Sequence, residues 1–294
     1  IARGASFRFD QLKMVFFKER ERREHEAMEA GITVAKDSVP VPRLTKLVNN
    51  YRSHTGILRL SALVTELLYH YFPDAIDELE PDKGILPGTR PTFFRTCDPE
   101  QLMMLLVGSR RETSRIEFGA HQAILVRSEE AKKRLPPSLR AHKCVMSVTQ
   151  SKGLEFDDVL LYNFFTDSEA GQTWRVLAAY EDEKRVKDDE WDAAEAANTA
   201  TSAAGIASTA PTARPLQFKK EEHRILNDEL KLLYVALTRA RVNVWIFDGD
   251  KEIRAPAMEL FQRRALIHVV EDALTRDDLN KVYVKNSTSA EWRE

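Results

Sequence analysis

The chain has 294 residues, 43% of them apolar and 31% charged, with 44 Lys and Arg against 46 Asp and Glu for a formal net charge of −2. This balance excludes disorder throughout and a strongly basic protein that coats nucleic acid, but it leaves room for a local phosphate-binding face. Cys97 and Cys144 are the only cysteines and stand far apart with no CxxC or His-spaced partner, so neither a zinc site nor a disulfide framework is expected.

That cysteine usage predicts a reduced, intracellular setting, nuclear or cytoplasmic. No run of about 18 apolar residues exists for a membrane span, so no membrane partner is expected. The opening Ile1-Ala2-Arg3-Gly4 has neither an initiator methionine nor a signal-peptide layout, which reads as a fragment of a longer chain. The length suits one α/β domain with insertions and tails as well as two domains.

Along the chain, the dense charge run at 17–30 reads as a solvated helix surface. Leu44 to Tyr51 then leads into an amphipathic stretch, Ile57, Leu58, Leu60, Leu63, Val64, Leu67 and Leu68, whose spacing of three and four predicts a helix with one buried face. Beyond the prolines Pro81, Pro87 and Pro91 come short apolar runs of strand character at 92–96, 123–127, 144–148 and 159–165, with a helix expected near 99–107. Strands alternating with helical segments, and apolar at nearly every position, predict a parallel α/β sheet covered on both faces.

An acidic run at 181–190 is followed at 193–215 by Ala, Thr, Ser, Gly and Pro with almost no large apolar side chain. Such a segment buries too little surface to offset chain entropy, so a disordered insertion is expected over about 181–216. A helix over roughly 219–239, a strand at 242–247 and a helical, charged tail complete the chain. No internal repeat is found.

Three segments combine polar chemistry with an apolar element. In Asn50-Tyr51-Arg52-Ser53, a tyrosine face can stack on a base and an arginine fork matches phosphate oxygens; the plainer reading is a surface Tyr-Arg pair with Ser53 as a helix cap. The stretch Ser147 to Phe156 holds Lys152 and Gly153 between two strands. A polar glycine loop at the carboxyl end of a parallel strand suits ligand binding, and the plainer reading is a turn with a solvated lysine. In Glu229 to Arg241, Leu230, Leu233 and Leu237 form the apolar face of a helix that ends at Arg239. That arginine either complements the helix dipole or acts as an arginine finger toward a transferred γ-phosphoryl group.

Together and in this order, LVNNYRS, KGLEF and LLYVALTRAR closely resemble motifs IV, V and VI of the UvrD/Rep-type superfamily 1 helicases. The resemblance covers residues 44–248, with the opening IARGASFRF similar to the sequence after motif III. Its flavour is closest to the helicase-like region of large eukaryotic tetratricopeptide-and-ankyrin-repeat proteins. It implies a second RecA-like domain at 44–250, preceded by a remnant and charged helix at 1–43 and followed by a helical extension at 251–294. It further implies that Tyr51 stacks on the adenine of ATP, that Arg52 reaches the γ-phosphate, that Glu155 binds the ribose with Gly153 allowing the approach, and that Arg239 is the arginine finger. Ser147, Thr149 and Lys152 would face single-stranded nucleic acid, although Ser147 and Thr149 replace the family's Thr and His there. Phe7 or Phe9 is either a base-stacking aromatic or, more plainly, a core side chain.

The chain has no GxxxxGK[ST] and no strand ending in Asp-Glu. The phosphate lysine and most of the Mg²⁺ site are therefore expected on a first RecA-like domain of the same parent, and the isolated chain is expected to be inactive. The rival expectation is a degenerate helicase fold that serves as a scaffold or interaction module.

Overall fold

A strand buried on both faces is apolar at successive positions because its side chains alternate between the two sides of the sheet. The computed structural model, which describes residues 9–32, 48–77, 80–100, 102, 121–142, 144–184 and 214–271, has such strands at its centre. Beside a short parallel pair, β1 (Asn49–Asn50) and β2 (Lys83–Gly84), they are β3 (Thr92–Phe94), β4 (Gln122–Val126), β5 (Val145–Ser147), β6 (Phe156–Tyr162), β7 (Ala240–Phe247) and β8 (His268–Val270), which form one sheet in the order β5-β4-β6-β7-β3-β8. Every pairing in it is parallel, with Leu160 opposite Trp245 at its centre.

The alternation sorts the core into two layers. Phe93, Ala123, Leu125, Val159, Leu161, Val244 and Ile246 face one side, which is covered by α2 (Thr55–Tyr71), α5 (Arg224–Leu237), α6 (Lys251–Arg263) and a 3-10 helix (Gly171–Ala179). Phe94, Ile124, Val126, Leu160, Tyr162 and Trp245 face the other, against α3 (Glu129–Arg134) and α4 (Pro137–Arg140). The fold is thus the layered α/β arrangement expected from the sequence. Among the described residues no helix is long and apolar enough to cross a membrane.

Several boundaries differ from expectation. The strand expected at 159–165 starts earlier and ends at Tyr162, because Asn163 takes a left-handed φ of 49°. Asparagine tolerates that conformation, and the turn sends Phe164 and Phe165 into the core against Trp174. The C-terminal tail is not wholly helical. Ile267, Val269 and Val270 are apolar and β-branched, and residues 268–270 add β8 to the sheet edge beside β3. The helix carrying the charge run, α1 (Phe9–Glu29), is longer than expected, and Glu19, Arg20, Arg22, Arg23, Glu24 and Glu26 pair along its surface at spacings of three and four. The helix expected near 99–107 lies beyond Leu102 outside the described residues, as do Phe7 and the side chain of Phe9.

Residues 185–213, most of the expected insertion, also lie outside the described residues. Both flanks pack on one side chain at the end of α2. The Tyr71 ring lies 6.1 Å from that of Tyr180 and 4.8 Å from that of Phe218. Residues 181–184 are helical, and Glu181 and Lys184 pair with Arg264 and Glu66. Because the flanks meet, replacing 185–213 by a Gly/Ser bridge of about eight residues, well within the reach of such a linker, is expected to leave the melting temperature unchanged. A drop of about 3 °C or more in calorimetry, the response to roughly 1 kcal/mol in a domain of about this size, would show that the segment packs on the core.

Two buried polar centres tie the layers together. At the carboxyl end of β4, Arg127 donates Nε to both oxygens of Glu229 at 2.9 and 2.8 Å and Nη2 to Glu169 at 3.1 Å. Ser168 donates to Glu229 at 2.9 Å and accepts from the Trp174 indole at 3.0 Å, so the carboxylate of this fully buried α5 residue is satisfied. At the end of β7, the buried Asp248 carboxylate accepts from the amides of Phe165 and Thr166 at 2.7 and 3.1 Å and from the Thr166 hydroxyl.

Burial outweighs those bonds and pushes the Asp248 carboxyl up to about 6. The folded chain therefore holds this proton more tightly than the unfolded one. Its contribution to stability is full below about pH 4, the ordinary aspartate range, and is lost as the pH rises through about 6. Wild-type stability minus that of Asp248→Asn is expected to fall by about 2–3 kcal/mol between pH 4 and 7 in urea unfolding. A pH-independent difference would refute this.

Candidate functional site

The first of the three motif segments is shaped by Asn50. Its Oδ1 accepts from the amides of Arg52 and Ser53, both at 3.0 Å, and its Nδ2 donates to Asp82 at 2.9 Å. This side-chain turn leaves the Tyr51 ring 76% exposed, which excludes a core role, and turns Ser53 and His54 inward. The residue that caps α2 is His54, not Ser53: its Nδ1 accepts from the amides of Gly56 and Ile57 at 3.1 and 3.4 Å. The opposite ring nitrogen lies 2.7 Å from the Val242 carbonyl. Both bonds are satisfied only by the neutral ring with its hydrogen on Nε2, and burial holds the imidazole below its usual pKa. The Ser53 hydroxyl instead donates to the Ala240 carbonyl at 2.6 Å.

The second segment leaves β5 at the carboxyl edge of the sheet and runs back to enter β6 at the amino edge. Ser147 is buried, and its hydroxyl accepts from the Gln150 amide at 3.4 Å, so it is engaged within the loop. Thr149, Lys152 and Glu155 are exposed. Gly153 has a φ of +89°, and a Cβ there would meet no atom within 4 Å. The glycine is required by the turn rather than by close packing within the protein.

The third segment ends α5, whose buried Leu226, Leu230, Leu233 and Leu237 seat it on the sheet. Arg239 donates Nε to the Val235 carbonyl at 3.0 Å, Nη1 to the Leu154 carbonyl at 3.1 Å and Nη2 to the Thr238 hydroxyl at 3.3 Å. The guanidinium thus sits on the Val235 carbonyl in the helix's last turn, as the dipole reading expected, and also touches the loop carrying Glu155. Arg52 pairs with Glu155. Burial lowers the Arg239 pKa, the nearby Arg52 charge lowers it further, and Glu155 opposes both.

Tyr51, Arg52, Glu155 and Arg239 therefore come together from three distant segments, with Arg52 paired to the Glu155 carboxylate, Arg239 bonded to the backbone of the preceding Leu154, and the exposed Tyr51 next to Arg52 in the chain. They gather at the amino-terminal edge of β6 and β7, not at the carboxyl end of a strand where the loop's glycine pointed. Asn50, His54 and Asp82 build this edge and were missed from sequence. The one available signal was an asparagine two residues before an arginine, a spacing that favours such a turn.

Residues 142–248 match the UvrD-like helicase C-terminal domain. The motif segments V and VI lie inside that match, and segment IV lies upstream of it. The chain is 40% identical over 292 residues to human "TPR and ankyrin repeat-containing protein 1", covering 99% of the chain and 10% of that protein. It thus spans about a tenth of that relative's length. Among solved structures, the C-terminal domain of a possible DNA helicase from Lactobacillus plantarum WCFS1 is similar at a TM-score of 0.38 and 15% identity, over 75% of this chain and 98% of that one.

Proposed function

We propose that the chain is the second motor half of an ATP-dependent, UvrD-type helicase or translocase acting on single-stranded DNA or RNA inside the cell. The observation that carries this is the convergence of Tyr51, Arg52, Glu155 and Arg239 on one sheet edge. An exposed ring there suits an adenine, Glu155 suits ribose hydroxyls, and paired guanidinium forks suit the γ-phosphate of ATP. Arg239 would leave the Val235 and Leu154 carbonyls to meet charge developing on the transferred phosphoryl group. The phosphate loop and Mg²⁺ are assigned to the first RecA-like domain of the parent. Among the described residues no group of three or more His, Cys, Asp or Glu is placed to hold a metal.

On the nucleic-acid side, Thr149 and Lys152 are the exposed candidates, whereas the buried Ser147 serves its own loop. That weaker strand face is what favours the second reading, a helicase fold kept as a scaffold. The two readings separate in one assay. The isolated chain is expected to show no ATP turnover, and the full-length parent to show turnover stimulated by single-stranded DNA or RNA. Arg239-dependent turnover by the isolated chain would overturn the half-site assignment. A parent without turnover would favour the scaffold.

A further inference from the structure

We infer that Ser53 and His54 are positioning residues that hold Arg52 and Arg239 at a fixed separation. The inference rests on the phosphate-facing reading of those two arginines. Each arginine has an anchor next to it in the chain, and the anchors bond to each other's segment. Ser53, which follows Arg52, donates to the carbonyl of Ala240, which follows Arg239, across 187 residues of sequence. His54 donates from Nε2 to the Val242 carbonyl two residues further along β7.

Both side chains are 3% exposed, so these bonds lie out of water, where a hydrogen bond is electrostatically stronger. The turn over α2 locks the ring further. A Cβ on Gly88 would stand 2.1 Å from the His54 Cγ, and one on Gly56 would stand 2.0 Å from the Thr89 carbonyl oxygen. Only glycine at both places lets the 84–90 segment close on the imidazole.

The arginine side chains cannot set this separation themselves. Arg52 meets Glu155 in a pair whose side chains are both 40% exposed, and Arg239 rests on the Val235 carbonyl of its own helix. Two long side chains act on one phosphoryl group only if their backbones are held in register, and misplacement by about 1 Å can lose 10²-fold in rate. The Ser53 and His54 bonds provide that register directly between the two segments.

The plainer role for His54 is the helix cap alone, and its ring separates the two jobs. Asparagine can place Oδ1 where Nδ1 sits, keeping the cap but losing Val242. Glutamine can place Nε2 where the ring's Nε2 sits, keeping Val242 but losing the cap.

The test measures binding of inorganic triphosphate to the 294-residue chain by titration calorimetry, alongside melting temperatures. Arg52→Ala is the control and should abolish binding, whereas Arg239→Ala, whose guanidinium is held by Val235, Leu154 and Thr238, should weaken it by less than about tenfold. His54→Asn and Ser53→Ala are expected to weaken binding roughly three- to tenfold, the effect of one lost hydrogen bond. His54→Gln should stay within about twofold of wild type although it melts lower than His54→Asn. If affinity instead follows melting temperature across the two His54 variants, or is unchanged in all of them, the positioning role is overturned and the phosphate site stands. If wild type does not bind triphosphate, or binding ignores the Arg52→Ala control, the phosphate-facing reading falls and the positioning role with it.

Discussion

Replacing Arg239 with alanine in the full-length parent is expected to lower ATP turnover on the order of 10³-fold or more, while nucleotide affinity stays within about tenfold. The asymmetry follows from where the side chain sits. Its three donating nitrogens are engaged by the carbonyls of Val235 and Leu154 and by the Thr238 hydroxyl. Its release is worthwhile only when negative charge builds on a phosphoryl group, so it acts on the transition state more than on the bound ground state. Arg52 is already turned outward and paired with Glu155. Arg52→Ala should therefore weaken binding as well as turnover. Single-turnover hydrolysis and equilibrium binding with a fluorescent ATP analogue would separate the two effects. Unchanged turnover in Arg239→Ala would remove the finger assignment.

The second large effect concerns stability. Arg127→Met is expected to destabilise the chain by about 3–5 kcal/mol, because it leaves the Glu229 carboxylate charged and buried with Ser168 as its remaining partner. Glu229→Met should cost less, since Arg127 keeps Glu169 as a partner at 3.1 Å. The double variant Arg127→Met/Glu229→Met should recover at least half of the loss, since two apolar side chains of similar volume need no partner. Chemical denaturation of the three variants tests this. Single variants that each cost less than about 1 kcal/mol, the range of exposed pairs, would show that the pair is not held out of water.

Much of the architecture was legible in the chain because one physical rule governs it. Parallel strands buried on both faces must be apolar throughout, and the runs around Ile124, Leu160 and Trp245 are. The amphipathic spacing of α2 and the leucines of α5 were equally direct. The errors fell where a single side chain overrides local propensity. Asn163 ends β6 by accepting a left-handed backbone, and Val269 and Val270 turn an apparently helical tail into an edge strand.

The site was legible in kind but not in place. Tyr51, Arg52, Glu155 and Arg239 were singled out as a set, yet a glycine-containing loop after β5 pointed to the carboxyl edge. Only the return of that loop across the sheet brings Glu155 to the opposite edge. The inward roles of Ser53 and His54 were hidden because their partners are backbone carbonyls on β7, and sequence spacing carries no trace of a carbonyl 187 positions away.

The packing of Tyr180 and Phe218 on Tyr71 has a consequence for how this chain can vary. With both ends of the excursion already brought together by core contacts, closing the loop costs an entropy that rises only with the logarithm of its length. Doubling the 29 residues from 185 to 213 would add about 0.6 kcal/mol. Tyr71 ends α2, a 17-residue helix that begins beside His54 and reaches about 25 Å away from it. The length of the chain between Tyr180 and Phe218 can therefore drift with little thermodynamic penalty to the fold, its two anchors being at the end of α2 opposite to His54.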